Sequence, residues 1–245
     1  MPRRVGIIQS SYIPWRGYFD FIRSVDVFVI YDDVQYSTGS WRNRNRLKMQ
    51  DGLKWITVPV HASISRAIDE TPLCADSGDW RRQHRRLLEA SLGRAPHFDD
   101  AVRIWDAGVA GAHASISALN ARLIYAINEY LDIRTRVMLS RAHRAAGAGT
   151  GRLIDLLVKL DAGTYVSGPA ARDYLDEGEF RRHRIQLEYK TYDYEPYPQL
   201  WGPFAGAVTA LDLIANLGPG ARDHLSSKTP NVAAVSTAGV DAGAR

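Results

Sequence analysis

Val5–Arg46 reads VGIIQSSYIPWRGYFDFIRSVDVFVIYDDVQYSTGSWRNRNR, and its hydrophobic pattern decides the fold. Val5–Ile8 is a short apolar run closed by Gln9 and two serines, the signature of a buried strand that stops abruptly. Pro14 and Gly17 break the chain. Trp15, Tyr18, Phe19, Ile22 and Val25 then recur at helical spacing. Val27–Tyr31 is a second strand and ends at Asp32-Asp33. Strand, loop, helix and strand in this order predict a βαβ unit with parallel strands. Ligands of open parallel sheets bind beyond the carboxyl ends of the strands. The polar residues Gln9, Ser10 and Tyr12, and Asp32, Asp33, Gln35 and Tyr36, follow those two ends.

Outward from this unit, Leu53–Val60 predicts a third strand of the same sheet, joined by strands near Thr164–Ser167 and Ile185–Tyr189. The fold class expected is α/β, a mainly parallel, Rossmann-like sheet with a helical layer or lobe. That helical segment spans about 79–140: Asp79 caps a helix with Trp80, His84, Leu87 and Leu88 on one face, Asp99 and Asp100 open another, and Ser115–Leu131 is strongly amphipathic. HRAAGAGTG at 143–151 reads as a linker or mobile loop, and Leu153–Leu160 and Val208–Leu217 as helices. Residues 1–218 form one domain in this reading, and 219–245, without apolar periodicity, a disordered tail.

The chain of 245 residues is long enough for a full core, and its single cysteine excludes an internal disulfide. The N-terminal apolar stretch is too short for a signal peptide and no segment is long enough to span a membrane, so a cytoplasmic location without a membrane partner is expected. A net charge of +4 is too small to argue for a nucleic-acid groove. The Walker, GxGxxG, GxSxG and CxxC motifs are absent from the sequence, and the seven histidines lack metal-ligand spacing. Neither a cofactor nor a metal is expected. Cys74, far from any histidine in sequence, is a poor candidate nucleophile.

Asp32-Asp33 is the sharpest candidate, able to accept a proton or orient an amine, although neighbouring strand residues face opposite ways. The alternative is one carboxylate capping a turn and the other facing water. In SWRNRNR, Arg42, Arg44 and Arg46 would share one extended face and suit a phosphate, while Asn43 and Asn45 share the other. That stretch could equally be a loop tied down by its own amides. The Asp32/Asp33 pair and Asn43–Asn45 are expected to border one pocket. His61, after the third strand, is a further catalytic candidate. Tyr18 and Ser167 are candidate binding residues, the latter because Ser167-Gly168-Pro169 ends a strand just before a helix.

IIQSSYIPWRGYFDFIRSVDVFVIYDDVQYSTGSWRNRNRL resembles the opening block of the WbqC-like family. WITVPV, the Trp80/His84 helix, RLIDLLVKLDAGTYVSGPAARDYLDE and IQLEYKTYDYEPYPQ resemble its later blocks in the same order, so the likeness covers residues 5–218. It departs near Gly206-Ala207-Val208, where the family often has an Asn-Leu-Ser type segment. The resemblance carries the family's characteristic polar residues onto Gln9, Tyr12, Pro14, Gly17, Tyr18, Asp32, Asp33, Gln35, Asn43, Arg44 and Asn45. It implies a place in O-antigen or other polysaccharide biosynthesis and transfer of glycine or another acyl group to an amino sugar.

A weaker resemblance, to nucleotidylyltransferase-like enzymes such as pantothenate synthetase, lies in the order of elements. Trp15-Arg16-Gly17-Tyr18 keeps that group's glycine and lacks both of its histidines, which implies loss of adenylating chemistry. The function expected is an amide-forming acyl or aminoacyl transferase. Its partners would be a small-molecule amine acceptor and an activated acyl donor, carried as a thioester on a carrier protein or as an aminoacyl ester on tRNA. The alternative is a non-catalytic protein that binds a nucleotide-sugar or a carrier protein.

Overall fold

The computed structural model describes residues 2–63, 65–74 and 78–236. Strands β1 (Arg3–Ile8) and β2 (Val27–Ile30) pair in parallel around helix α1 (Arg16–Arg23), so the expected βαβ unit is present. Pleating sends Val5, Ile7, Val27 and Val29 to one face of the sheet and Phe28 and Ile30 to the other. Gly6 is required on that second face, because a Cβ there would meet the Phe21 ring at 2.7 Å.

Six strands form the main sheet: β5 (Arg136–Leu139), β2, β1, β6 (Ala162–Ser167), β7 (Gln186–Tyr189) and β8 (Val232–Val235), in that order. All neighbours run parallel except the edge strand β8, which is antiparallel to β7. Chain order reverses between β1 and β6, which makes the sheet doubly wound and Rossmann-like. On one face pack α1, α2 (Trp80–Leu92), α3 (Phe98–Val109), α4 (Ile116–Tyr130) and α7 (Ala210–Leu217), in one continuous core with Phe19 and Phe28. The helical segment is therefore a layer of the domain. The opposite face carries α5 (Gly149–Lys159) and α6 (Glu177–Arg182), over Val5, Ile7, Tyr165 and Leu187. Asp79 caps α2 as read from sequence, accepting from the Arg82 amide, and Ser115 caps α4, accepting from the Ala118 amide.

Two expectations are corrected. The third predicted strand does not join the main sheet. It is β4 (Gly52–Thr57), which pairs only with β3 (Arg44–Met49) in an antiparallel hairpin. Gln50-Asp51 turns the chain and Gly52 sits at φ +119°, a conformation open to glycine alone, so local turn chemistry fixes β4 against β3. The edge place beside β2 falls to the short strand β5. The expectation of disorder from residue 219 also fails over the described part. A 3-10 helix occupies Gly218–His224, and β8 buries Val235 against the α6 face. The expected tail beyond residue 236 lies outside the described residues.

Candidate functional site

Gln9 to Pro14 leave β1 as a buried, tightly pinned turn. Ile13 is held in the left-handed region at φ +42°, an unfavourable conformation for a β-branched residue. Asn45 of β3 holds it there, donating its amide to the carbonyls of Tyr12 at 3.0 Å and Ile13 at 2.6 Å. Both amide hydrogens of Asn45 are thereby occupied. Asn43 donates to the Val58 carbonyl. The two buried asparagines tie the hairpin to the domain. Arg44 and Arg46 share the outer face of β3, both over Trp55, while Arg42, in the turn before the strand, reaches toward Gln9.

A cavity of about 350 Å³ opens between the end of β1 and the turn before β3, lined by Ile8, Ser11, Trp15, Tyr18, Trp41, Arg42 and Asn45 among others. The Trp15 ring lies directly over Gly17, where a Cβ would come within 2.3 Å of it, so the glycine admits the cavity's aromatic wall. Arg42 donates to the Gln9 Oε1 at 3.0 Å. Burial lowers its pKa from the ordinary guanidinium value, opposed by the charge of Asp32.

A second cavity, of about 620 Å³, lies where the order of the sheet reverses. Ile8 of β1 and Gln9 just after it line it opposite Tyr165 and Ser167 of β6 and the following Gly168, with Tyr31 and Gly149 at its sides. Ile8 belongs to both cavities, and Trp15 of the first packs on Tyr192 of the second with ring centroids 5.1 Å apart. Gln9 thus stands at their junction, its carboxamide oxygen toward Arg42 and its residue on the second wall.

The two aspartates part company, as adjacent residues at a strand end do. Asp32 is 2% exposed and accepts from the Ser10 amide at 2.8 Å, while its Oδ2 has no hydrogen-bond partner. Burial raises its pKa, and hydrogen bonds from Ser10 and Ser117 and the charge of Arg42 work against that rise. Asp33 points the other way. It pairs with Arg152 of α5 at 2.7 Å and accepts from Ser140. Asp32 therefore sits behind the first cavity near Arg42, and Asp33 on the far side. The expected common border with Asn43–Asn45 reduces to the Asp32–Arg42 attraction.

Other candidates scatter. His61 is exposed in a loop beyond β4, away from both cavities. Gln35 is exposed in a bridge to Ala67, and Tyr36 is buried beside it. Ser10 is buried and accepts from Asn120, and the Tyr18 hydroxyl donates to the Gln9 carbonyl. Tyr12 is buried under the site, its hydroxyl 2.9 Å from both Trp105 Nε1 and His84 Nδ1. His84, read from sequence only as a core position, is the histidine that the fold places in a specific polar network. Among the described residues no group of three His, Cys, Asp or Glu side chains is placed to hold a metal ion. Nor is any of their helices long and apolar enough to cross a membrane.

Comparison with known proteins adds a family to this geometry. The chain is 46% identical over 228 residues to the uncharacterized protein Rv1507c of Mycobacterium tuberculosis (strain ATCC 25618 / H37Rv), covering 91% of this chain and 97% of that protein. No solved structure matches. The model of the WbqC-like protein family matches residues 9–224, which include the whole Gln9–Arg46 stretch and all of the cavity-lining residues except Ile7 and Ile8, and the chain belongs to that family.

Proposed function

We propose that this protein is an amide-forming acyl or aminoacyl transferase, with glycyl among the candidate groups, acting on the amine of a nucleotide-linked amino sugar in polysaccharide or natural-product biosynthesis. The observation that carries this reading is the pair of cavities that share Ile8 at the end of β1 and are bridged by the bond from Arg42 of the first to Gln9 of the second. Two adjacent cavities suit two substrates whose reacting ends must touch. The amine nitrogen bonds to the acyl carbon, the bond from that carbon to the carrier's oxygen or sulfur breaks, and the nitrogen's proton passes to the departing group. Since Arg42 holds the Gln9 oxygen, the amide N–H₂ is left to donate to the oxyanion formed in between. A donor that arrives activated, on a carrier protein or on tRNA, removes the need for an adenylating step.

One observation favours a second reading, a binding protein without catalysis. Asp32 is sealed behind Ser10 and Asp33 is paired with Arg152, so neither aspartate faces a cavity as a general base. The test is incubation of the purified protein with acyl-carrier thioesters or aminoacyl-tRNA and nucleotide-linked amino sugars, read by mass spectrometry. An acylated sugar supports the transferase. Tight binding of sugar or carrier with no product from any donor replaces it with the second reading.

A further inference from the structure

The outer face of the β3–β4 hairpin carries a strip of cations and rings that the fold itself does not use. Arg44 lies over Trp55 with its guanidinium carbon 4.2 Å from the ring centroid, and Arg46 lies 5.4 Å from Trp41 and 5.5 Å from Trp55. The two indoles pack on each other at 5.1 Å, yet each remains about two-fifths exposed, at 40% and 42%. Cross-strand pairing of Arg46 with Trp55 builds this arrangement into the hairpin register.

Among the described residues, Arg42, Arg44 and Arg46 form no ion pair with a carboxylate, and the Nε of each is buried without a partner. Alternate strand residues are about 7 Å apart, so Arg44 and Arg46 stand side by side on β3 without a carboxylate partner. A purely structural cation–π stack gains from a nearby carboxylate, and the two arginines on these two indoles have none. Exposed aromatic faces beside unpaired arginines suit a ligand that joins a flat ring to phosphates. Trp41 and Arg42 also line the 350 Å³ cavity, so the strip leads from open rings, past the arginines, into an enclosed space.

We infer that this strip binds the nucleoside diphosphate part of the substrate. The base stacks on the exposed indoles, the two phosphates lie across the arginines, and the group beyond them enters the cavity at Trp15 and Tyr18. The inference rests on the reading above only for the presence of a nucleotide-linked substrate. Two guanidinium groups side by side suit the several anionic oxygens of linked phosphates.

The test is calorimetric titration of the full chain with UDP, dTDP, GDP, CDP and ADP, in parallel with tryptophan fluorescence. At least one diphosphate should bind, quench the emission and compete with pyrophosphate, while its nucleoside binds at least tenfold more weakly. Arg44→Gln and Trp55→Ala should each weaken binding about tenfold or more. Trp55→Phe should recover part of it, and Arg86→Gln, an exposed arginine on α2, should change nothing. Unchanged melting by circular dichroism shows that the variants fold. No binding of any diphosphate up to millimolar concentration, or binding unaffected in folded Arg44→Gln and Trp55→Ala, overturns the inference. So does binding of a CCA-ended oligoribonucleotide in place of the diphosphates. Acyl transfer insensitive to both variants sinks this placement and leaves the transferase standing. Diphosphate binding lost in both variants, with no acylated product from any donor, does the reverse.

Discussion

Arg42 donates to the side-chain oxygen of Gln9 across the gap between the hairpin and the end of β1. An amide whose oxygen faces a guanidinium has its nitrogen fixed by elimination, so this bond sets the direction of two donors at the junction of the cavities. Gln9→Glu keeps the acceptor, strengthens the pairing with Arg42 and removes both donors. In the mass-spectrometric transfer assay it should lower kcat by about 10²–10³-fold, the usual effect of losing an oxyanion donor. Its melting temperature should match or exceed that of the parent. Undiminished turnover in a folded Gln9→Glu variant would leave the amide without a chemical role.

Asp33 and Asp32 should answer differently to the same change. Asp33→Asn leaves Arg152 half-buried without its partner and weakens the bond from Ser140, an expected loss of about 3 kcal/mol. Asp32→Asn keeps the oxygen that accepts from Ser10 and abolishes a carboxylate already disfavoured by burial, so about 1 kcal/mol or less should be lost. Urea midpoints of the two variants decide it. A larger loss for Asp32→Asn would make Asp32 the structural member of the pair.

The βαβ unit was legible because Val5–Ile8 and Val27–Ile30 are unbroken apolar runs around an amphipathic helix, a pattern with few other solutions. The opposed directions of Asp32 and Asp33, and the shared face of Arg44 and Arg46, followed from strand pleating alone, whereas Arg42 sits in the turn before β3 and reaches toward Gln9. The hairpin was misjudged although Asp51-Gly52 is a strong turn signal: Leu53–Val60 looks equally like a buried strand, and only tertiary pairing tells which sheet it joins. Both β5 and β8 have four residues, too few to show a period. The importance of His84 was hidden because its partners, Tyr12, Thr57 and Trp105, come from three distant parts of the chain. Likewise Asn45 showed its amide in sequence but not the Tyr12 and Ile13 carbonyls that occupy it.

Strand β8 gives the C-terminal region a measurable share of stability. It covers the open edge of β7 and buries Val235, and Lys228 nearby pairs with Asp193 and Glu195. Deleting residues 231–245 should lower the melting temperature by about 5 °C, from roughly 2 kcal/mol of lost burial and strand pairing. The shortened chain should also associate more readily, since β7 becomes an exposed edge. Scanning calorimetry and sedimentation check both effects, and an unchanged melting temperature would show that β8 contributes nothing to the fold.

His84 should make the protein sensitive to mild acid. Its Nε2–H donates to the Thr57 carbonyl at 3.2 Å, which leaves Nδ1 to accept from the Tyr12 hydroxyl, while that hydroxyl accepts from Trp105. This network is complete with a neutral ring, and a proton on Nδ1 would face a hydroxyl already donating. Burial accordingly lowers the His84 pKa from 6.5 to about 4. Between these values the unfolded chain binds a proton that the folded chain refuses, so stability falls as pH drops from about 6.5 to about 4 and this group adds no further slope below. By pH 4.5 the expected loss relative to pH 7 is about 2–3 kcal/mol. Asp32 contributes in the opposite sense, because its raised pKa favours the folded state as pH falls. The comparison that isolates His84 is therefore with His84→Gln, whose amide can donate and accept but cannot titrate. Urea denaturation at pH 7, 5.5 and 4.5 should show a constant offset for the variant and a flatter dependence on pH. Equal slopes for the two proteins would mean that His84 titrates alike in the folded and unfolded chains, contrary to its sealed place beneath the site.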